Sequence, residues 1–443
     1  MGSAIIIPEM TDLNRGDQSL IWEAIRLLRE TELIGSVALL EEPHVGNVVN
    51  PQSVQSRQRA DEILEVVLKH PARGVQNTTE IQPGLQRNII MGARAGLDWF
   101  RMRRILQNIE EKKWGIVWKG LSESERRTID AFSAAQVIVV KGGGAFHAYS
   151  SNIYWEYYLW YNCFHIFLAH ALKKRVVVLP NSFGPFPGLR NERIIRNAFS
   201  KVEWIAARES ISAEVMEKTL GKKVLTETDL GFFIKPRKSA RVDKIIQEWT
   251  GADIVTVSVR PWRFSGNRNP EKAYLKYIQS IAEVIEWLRS EGLRPVVVPH
   301  CLGPSAHEDD RKAIGLLSRL VGEENLEVVN TVGMDCEEVA ALYGAAVITI
   351  GTRFHSVIFS LSQGIPSLAI GYGGNKAKGI LTDIGLIRWY LPIEKAEGGH
   401  LVQMAQDLLS SISGVKRTLH DLQEKLTASR CKMKEDLKRI LEV

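Results

Sequence analysis

Residues 346–361 read Ala346-Val-Ile-Thr-Ile-Gly-Thr-Arg-Phe-His-Ser-Val-Ile-Phe-Ser-Leu361. The stretch opens with a short apolar run rich in Val, Ile and Thr, which is typical of a buried strand. A turn, Gly351-Thr352-Arg353, follows, and the apolar sequence then continues as a helix. A buried strand that passes through one turn into a helix is the repeating unit of parallel α/β folds. This stretch therefore predicts α/β layering.

The same pattern recurs on both sides of this stretch. In the second half of the chain, further strands are predicted at 254–259, 295–298, 326–330 and 367–370. In the first half, strands are predicted at 4–8, 135–140, 175–179 and 204–207. Two successive series of similar size predict two Rossmann-like domains whose strand ends face each other across a cleft.

The domain boundaries follow from shifts in composition. We place an N-terminal domain at 1–236 and a C-terminal domain at 242–400, with the basic stretch 235–241 as the linker. The charged region from about 51 to 127 predicts helices inserted into the first domain. From 401 to 443 the sequence is amphipathic, with no glycine after Gly414, and predicts a tail of one or two long helices.

Arginine and histidine side chains gather where the predicted strands end: Arg208, Arg260, His300, Arg353 and His355. Because ligands of open α/β sheets bind outside the carboxyl ends of the strands, we expect these residues around one cleft. Arginine offers a planar fork for a carboxylate or phosphate, and histidine can move a proton near neutral pH. A surface arginine beside a core histidine is the simpler interpretation of Arg353 and His355, but the pair is costly to bury without a ligand, so we favour a functional role.

Two loops of the first domain supply further candidates. Asn14 and Asp17 lie between the first strand and its helix, where they either contact a ligand or only cap the helix. Gly143 and Gly144 follow strand 135–140. They let backbone amides approach a phosphate or carboxylate, although tight strand-to-helix packing explains such glycines equally well.

Two segments near the predicted cleft have simpler interpretations beside the functional ones. Lys376 lies in the loop after strand 367–370, where it either binds an anion or is only solvated. The aromatic run from Tyr149 to Tyr161 is interpreted mainly as packing, with stacking on a sugar or base as the alternative. The apolar segment 153–172 contains Glu156 and His165, so we predict a buried or interfacial helix rather than a membrane span.

Composition excludes several functional classes. The 443 residues contain 57 Lys and Arg against 51 Asp and Glu, and a net charge of +6 is too small to indicate nucleic-acid binding. Four dispersed cysteines with no CxxC pair argue against a disulfide framework or a zinc site, and we expect a reducing, cytoplasmic location. His300, His307 and the acids after it match no metal-ligand template, so no metal is expected.

Taken together, the ordered motifs resemble the polysaccharide pyruvyl transferase family, most of all its colanic-acid type. The resemblance covers roughly residues 4–390, and Gly351 to Ser356 is its most specific part. One departure is that Lys376 stands four residues after Tyr372, where the family usually has Tyr-x-x-Lys. The other motifs are Asn14 to Asp17, Gly142 to Phe146, Asn181 to Phe186, Ala207 to Ser210, Thr228 to Leu230, Val257 to Arg260 and Gly364 to Pro366.

The resemblance implies a fold similar to the glycosyltransferase-B (GT-B) arrangement and a transferase with no cofactor beyond its donor substrate. The implied donor is phosphoenolpyruvate, and the implied acceptor is a sugar whose two hydroxyls become a pyruvate ketal. His355 is expected to be the general acid and base, with Arg353 and Arg260 clamping the donor. The remaining substrate-binding candidates are Lys376, Asn14, Asp17, Gly143, Gly144, Arg208 and His300.

Other functions remain open at this stage. A GT-B-type glycosyltransferase or a nucleotide-sugar epimerase would share the fold, but it would need a ribose-binding acid late in the second domain, where Asp383 is the one acid noted. A non-catalytic binding protein would leave the strand-end cations unexplained. The acceptor could be free, nucleotide-linked or lipid-linked, and a lipid carrier would imply peripheral association with a membrane. The sequence does not indicate the oligomeric state.

Overall fold

The computed structural model describes residues 1–8, 11–41, 55–71, 85–303 and 306–442. Two parallel sheets follow one another along the chain, each covered by helices on both faces. The first sheet has strand order β3-β2-β1-β4-β6-β7-β8, with β5 beside the end of β6. Its strands are β1 (Gly2–Ile7), β2 (Ile34–Glu41), β3 (Glu62–Glu65), β4 (Val137–Val140), β5 (Gly143–Phe146), β6 (Arg175–Phe183), β7 (Trp204–Ala207) and β8 (Leu225–Thr226). Its helices are α1 (Arg15–Glu30), α2 (Leu85–Glu110), α3 (Trp114–Lys119), α4 (Glu123–Ala134), α5 (Ile153–Ala171), α6 (Leu189–Phe199) and α7 (Ser210–Leu220).

The second sheet has strand order β11-β10-β9-β12-β13-β14. Its strands are β9 (Ile254–Ser258), β10 (Arg294–Val297), β11 (Glu327–Val328), β12 (Ile348–Gly351), β13 (Ser367–Gly371) and β14 (Tyr390–Pro392). The helices of this half are α8 (Ala240–Glu248), α9 (Pro270–Ser290), α10 (Asp310–Val321), α11 (Cys336–Tyr343), α12 (Phe354–Leu361), α13 (Lys376–Asp383), α14 (Gly398–Ser410) and α15 (Ile412–Glu442).

The central strands are apolar because both of their faces are covered. Every residue of β4 and of β9 is buried, as expected for parallel strands between two helical layers. In each sheet the chain reverses its direction of strand addition at the first strand, so β1 lies between β2 and β4, and β9 lies between β10 and β12. Such a switch point opens a crevice at the carboxyl ends of the strands, where ligands bind.

Backbone hydrogen bonds join the two halves beside these crevices. The Arg15 amide donates to the carbonyl of His300 at 3.1 Å, and the Leu302 amide donates to the carbonyl of Leu13 at 2.8 Å. The segment before α1 is therefore paired with the segment after β10, and the two switch points face each other.

The C-terminal tail divides between the two halves. α14 packs on α9 of the second half, whereas α15 returns to the first half. There Arg430 pairs with Glu23 at 3.1 Å and with Glu30 at 2.9 Å, and the Gln136 side chain donates to the carbonyl of Leu441 at 2.8 Å. The prediction of long terminal helices is confirmed, but the tail is not a separate unit.

The region predicted as a helical insertion contains both strands and helices among its described residues. Within the expected region 51–127, β3 is a parallel edge strand beside β2, and α4 is the crossover helix that leads into β4. Helices α2 and α3 match the prediction, and residues 51–54 and 72–84 lie outside the described residues. Two further corrections are that Gly143 and Gly144 belong to strand β5, and that β14 follows the last predicted strand.

The segment predicted to avoid the membrane forms α5, which packs its Phe164, Ile166 and Leu168 side chains fully inside the first half. Among the described residues, no helix combines the length and the apolar composition needed to cross a bilayer. The four cysteines form no disulfide.

Candidate active site

A cleft of about 3510 Å³ lies between the carboxyl ends of the two sheets. Of the predicted site residues, the ones that line it are Asn14, Asp17, Gly143, Gly144, Arg208, Arg260, His355 and Lys376. Arg353 and His300 do not line it. Most of the residues predicted from their positions at strand ends therefore do meet in one cleft, whereas Arg353 and His300 lie behind its wall.

The turn between β12 and α12 is fixed by short polar contacts. A side chain at Gly351 would place its Cβ 2.6 Å from the Ser356 hydroxyl oxygen, so this position has room only for glycine. The Ser356 hydroxyl lies 2.7 Å from the hydroxyl of Ser258, and the Thr352 hydroxyl lies 2.8 Å from that of Tyr277. These contacts fix the turn that presents His355 at the start of α12.

Arg353 points away from the cleft. Its guanidinium forms a buried ion pair with Asp310, with an Nε–Oδ1 distance of 2.8 Å and an Nη2–Oδ1 distance of 2.6 Å. The other carboxylate oxygen of Asp310 accepts the amides of His300 and Cys301 at 2.9 and 2.8 Å. The expectation that Arg353 clamps the donor is therefore not met in this structure, because its charge is already used to join two strand ends.

His300 lies behind His355 and is almost completely buried. The two rings are nearly parallel, with centroids 6.5 Å apart and an interplanar angle of 11°. Neither ring nitrogen of His300 has a hydrogen-bond partner among the described residues. Burial, followed by the charge of neighbouring groups, lowers the pKa of His300 well below its ordinary value. We infer a neutral packing ring rather than a ligand-binding group.

His355 is inserted between two glycines. A Cβ at Gly16 would lie 1.8 Å from its Nδ1 atom, and a Cβ at Gly231 would lie 3.2 Å from its Cδ2 atom. Gly16 is in the first turn of α1, so the imidazole also faces the positive end of a helix. Burial first, and then the charge of Lys376, lower the pKa of His355 well below its ordinary value. The ring is therefore neutral near pH 7.

Lys376 contacts the same imidazole. Its ammonium lies 3.0 Å from His355 Nε2, and the carboxylate of Asp229 lies 3.9 Å from this ammonium and 3.8 Å from Nε2. Burial first, and then the guanidinium of Arg208, lower the pKa of Lys376 to about 7. A lysine with this pKa and a neutral histidine in contact form a pair that can exchange a proton near neutral pH.

Two buried cations in the cleft, Arg260 and Lys141, have no acidic partner among the described residues. Arg260 is 7% exposed, and its guanidinium lies 3.9 Å from the ring centre of Tyr372 and 5.0 Å from that of Trp262. Lys141, directly after β4, is also 7% exposed and lines the cleft. Buried cations are normally paired, so these two favour an anionic ligand. Lys141 was missed, although its place at a strand end was a signal for it.

A buried network supports the cationic centre from the first half. Arg208 donates to Ser182 at 2.7 Å and pairs with Asp229 at 2.8 Å. Glu209 accepts from Ser182 at 2.8 Å, and burial raises its pKa to about 7. Asp229 therefore neutralises Arg208 and also faces the His355–Lys376 pair. Asp229 lies in the Thr228-Asp229-Leu230 motif, but its role depends on these contacts and is not evident from the sequence.

The two first-half segments that contain Asn14 and Gly143 combine structural roles, such as helix capping, with positions on the cleft. Asn14 is the N-cap of α1, accepts from the Gly16 amide at 3.0 Å and donates to Asp17 at 2.7 Å, yet both side chains line the cleft. The glycine run is not a loop before a helix, because β5 occupies it and α5 begins only at Ile153. A Cβ at Gly144 would lie 3.0 Å from Arg208, so this glycine gives the guanidinium room.

Aromatic side chains form the outer part of the first-half wall. His147, Tyr149 and Tyr158 pack around Trp155 with ring centroids 5.1 to 5.7 Å from it. Tyr149 and Tyr154 are 51% and 59% exposed, so the aromatic run supplies both packing and an open surface. No group of His, Cys, Asp and Glu within the described ranges could hold a metal ion.

Comparison with solved structures agrees with the two-sheet architecture. The chain superposes on Arabidopsis thaliana UGT89C1 complexed with UDP with a TM-score of 0.56 and 12% identity, covering 100% of both chains. It superposes on UDP-GlcNAc 2-epimerase from Neisseria meningitidis with a TM-score of 0.52 and 12% identity, covering 95% of this chain and 94% of that one. The fold is therefore of the GT-B class, and identities this low show the fold alone.

Sequence comparison identifies the family to which the chain belongs. The sequence model for polysaccharide pyruvyl transferases matches residues 84–374, well over half of the chain. The chain belongs to this family. It is also 26% identical over 260 residues to the amylovoran biosynthesis protein AmsJ of Erwinia amylovora, across 57% of this chain and 62% of that protein. The chain thus spans less than two thirds of the length of that relative.

Proposed function

We propose that the chain transfers the enolpyruvyl group of phosphoenolpyruvate to two hydroxyls of a sugar in an exopolysaccharide or cell-wall glycan precursor. The product is a pyruvate ketal, and phosphate is released. The observation that carries the proposal is the 3.0 Å contact between His355 and Lys376 in a cleft that also holds Arg260 and Lys141, two buried cations with no acidic partner among the described residues. Membership of the family supports this class of reaction, and the relative that takes part in amylovoran biosynthesis supports a polysaccharide precursor.

Donor binding is assigned to Arg260 and Lys141. Phosphoenolpyruvate carries a carboxylate and a phosphate, so it needs more than one cation, and these two are buried without acidic partners among the described residues. The rings of Trp262 and Tyr372 keep the Arg260 guanidinium in the cleft. Arg353 becomes a positioning residue, because its ion pair with Asp310 holds the turn that carries His355.

Binding of the donor would itself activate His355 and Lys376 for proton transfer. An anion placed beside His355 and Lys376 favours their charged forms and raises the pKa of both groups. The pair then takes up a proton as the donor binds, and His355 becomes a general acid fed by Lys376. Asp229, 3.8 Å from the imidazole, stabilises the resulting imidazolium.

His355 protonates the methylene carbon of the donor, which leaves an oxocarbenium ion at C2. One sugar hydroxyl adds to C2 and returns its proton to His355. The C2–O bond to phosphate then breaks, and the phosphate leaves with a proton from the same pair. The second hydroxyl adds to C2, returns its proton to the His355–Lys376 pair and closes the ketal. General acid–base assistance of this kind contributes about 10²–10⁴-fold to the rate.

A thermal-shift experiment tests the donor. Phosphoenolpyruvate at 100 times its dissociation constant should stabilise the protein by about 2.7 kcal/mol. Arg260→Ala should lose this shift, whereas Arg388→Ala, an exposed arginine over Trp389, should keep it. A shift with UDP or a UDP-sugar and none with phosphoenolpyruvate would reject pyruvyl transfer and favour the glycosyltransferase or epimerase alternative.

A further inference from the structure

Helix α2 has apolar side chains on two opposite faces. Met102, Ile105 and Ile109 are at most 5% exposed and attach the helix to the first half. The other face carries Ile89, Ala93, Leu97, Phe100 and Arg104, whose spacing places them on one stripe of the helix. Ile89, Leu97 and Phe100 are 64%, 74% and 61% exposed. We call these five residues the outer stripe of α2.

Basic side chains accompany the outer stripe. Between Ile89 and Arg104 the chain carries four arginines, and its one acid in that span, Asp98, is only 7% exposed. The Arg103 guanidinium lies 4.7 Å from the ring centre of Trp99. Arg101 is neutralised by Glu125 at 2.6 Å, whereas Arg103 and Arg104 have no acidic partner among the described residues and carry positive charge beside the stripe. Exposed leucine, isoleucine, phenylalanine and tryptophan beside arginines are typical of a helix that lies in the interface of a membrane.

We propose that the outer stripe of α2 binds the surface of a bilayer that contains anionic lipids. The apolar side chains would enter the boundary between headgroups and acyl chains, and the arginines would contact lipid phosphates. A second copy of the chain fits this face poorly. A symmetric contact would place the arginines of both copies in one interface, and like charges at an interface oppose association.

The position of the stripe fits a membrane substrate. Phe100, Arg103 and Arg104 also line the catalytic cleft, so the cleft opens directly beside the proposed membrane face. Ile153 and Tyr154, at the start of α5, are 81% and 59% exposed on the same cleft. If the proposed function holds, an acceptor carried on a lipid could enter the cleft without leaving the bilayer. Membrane binding itself does not depend on that function.

Vesicle sedimentation of the full chain tests the proposal. The wild-type protein should pellet with vesicles of phosphatidylcholine and phosphatidylglycerol, and stay in solution with phosphatidylcholine alone. Ile89→Ser combined with Leu97→Ser removes apolar surface without touching a cleft residue, and should weaken binding by about tenfold or more. The matched control is Leu275→Ser combined with Leu320→Ser, since these leucines are 54% and 46% exposed on the second half.

The thermal shift with phosphoenolpyruvate, measured on each variant, keeps the two proposals separate. An unchanged shift in the α2 variant shows that fold and donor site are intact, so its loss of vesicle binding supports the membrane face. A wild-type protein that ignores anionic vesicles overturns the membrane proposal, and so does equal loss in both double variants. If the α2 variant instead changes only the oligomeric state in sedimentation velocity, the stripe is an interface between copies. If phosphoenolpyruvate gives no shift with wild type, the proposed function fails while the vesicle result stands.

Discussion

The two walls of the cleft are built differently. On the second-half wall, every residue from Gly351 to Ser356 is buried. Each polar side chain of this segment forms a hydrogen bond or ion pair with another side chain of the protein. On the first-half wall, α2 and α5 present Phe100 and Tyr154 at about 60% exposure. One wall is fixed before any ligand arrives, whereas the other offers separate side chains on an open surface.

This difference matches the two tasks of the proposed reaction. Proton transfer to a small donor needs atoms held in place, because a displacement of 1 Å can cost about 10²-fold in rate. Contact with a glycan instead spreads over many weak interactions. Substitutions on the fixed wall should therefore have large, concentrated effects, and substitutions on the open wall should have small effects confined to the acceptor.

The largest effect is expected for His355→Asn. Asparagine keeps a polar side chain of similar reach but cannot carry the proton, so kcat should fall by about 10²–10⁴-fold. The thermal shift with phosphoenolpyruvate should persist, because Arg260 and Lys141 remain in place to bind the donor. Steady-state phosphate release measures the rate. Retention of more than a tenth of the activity would show that Lys376 alone supplies the proton.

Arg353→Ala and Arg260→Ala should separate structure from binding on the same wall. Removing Arg353 leaves Asp310 buried and unpaired, which costs about 3–5 kcal/mol of unfolding free energy. Removing Arg260 leaves no buried charge behind, so its stability should stay close to that of the wild type while the phosphoenolpyruvate shift disappears. Denaturant unfolding and thermal shift of both variants give the comparison. A stable Arg353→Ala variant that has lost donor binding would restore the clamp role that the motif first indicated.

The sequence predicted the two-sheet architecture well, because the buried strands of a parallel sheet are continuous apolar runs in the sequence. The runs at 204–207 and 254–259 match β7 and β9 to within a residue. It failed where a strand is amphipathic and short: β3, with its sequence Glu62-Ile-Leu-Glu65, reads as part of a charged helical region. The packing partner of α15 could not be predicted either. Amphipathic periodicity shows that one face of a helix is buried, but it does not show which part of the protein covers that face.

For the site, the rule that strand ends meet was sufficient to collect the cleft residues. It could not show where a side chain points. Arg353 turns back because Asp310, at the start of α10, provides a partner that is far away in sequence. The same limit hid Asp229 and Lys141, whose importance rests on contacts made only in three dimensions. The acids at 308–310 were considered as metal ligands, whereas Asp309 caps α10 and Asp310 pairs with Arg353.

Gly16→Ala tests how closely the fixed wall depends on the other half of the molecule. The new methyl group would lie 1.8 Å from His355 Nδ1, so the imidazole has to move away from its contact with Lys376. We expect a fall in kcat of about 10²-fold. Gly315→Ala, a helical site with open space around it, is the control and should retain full activity. An unaffected Gly16→Ala enzyme would mean that the two halves separate during turnover.

The pH dependence tests the Lys376–His355 pair. The pKa of Lys376 is lowered to about 7, so its ammonium is present below that pH and is lost as pH rises. If the ammonium helps to bind the donor, kcat/KM for phosphoenolpyruvate should fall about tenfold per pH unit above 7. Lys376→Arg keeps its charge at every accessible pH and should move this fall to higher pH. Identical profiles for both enzymes would remove Lys376 from the proton-handling pair.

The smallest effect belongs to the open wall. Tyr154 is 59% exposed, and its ring packs edge to face on Trp155 with centroids 5.2 Å apart. If a sugar ring stacks on Tyr154 about as strongly as one aromatic ring stacks on another, the contact contributes about 0.5–1.5 kcal/mol to acceptor binding. Tyr154→Ala should therefore raise the KM for the acceptor roughly 2- to 12-fold, while kcat and the phosphoenolpyruvate shift remain unchanged. Tyr154→Phe should behave as wild type, because a stacked sugar needs the ring and not the hydroxyl. A fall in kcat without a change in KM would mean that the open wall helps to place the reacting hydroxyls, and the division of labour between the two walls would then be wrong.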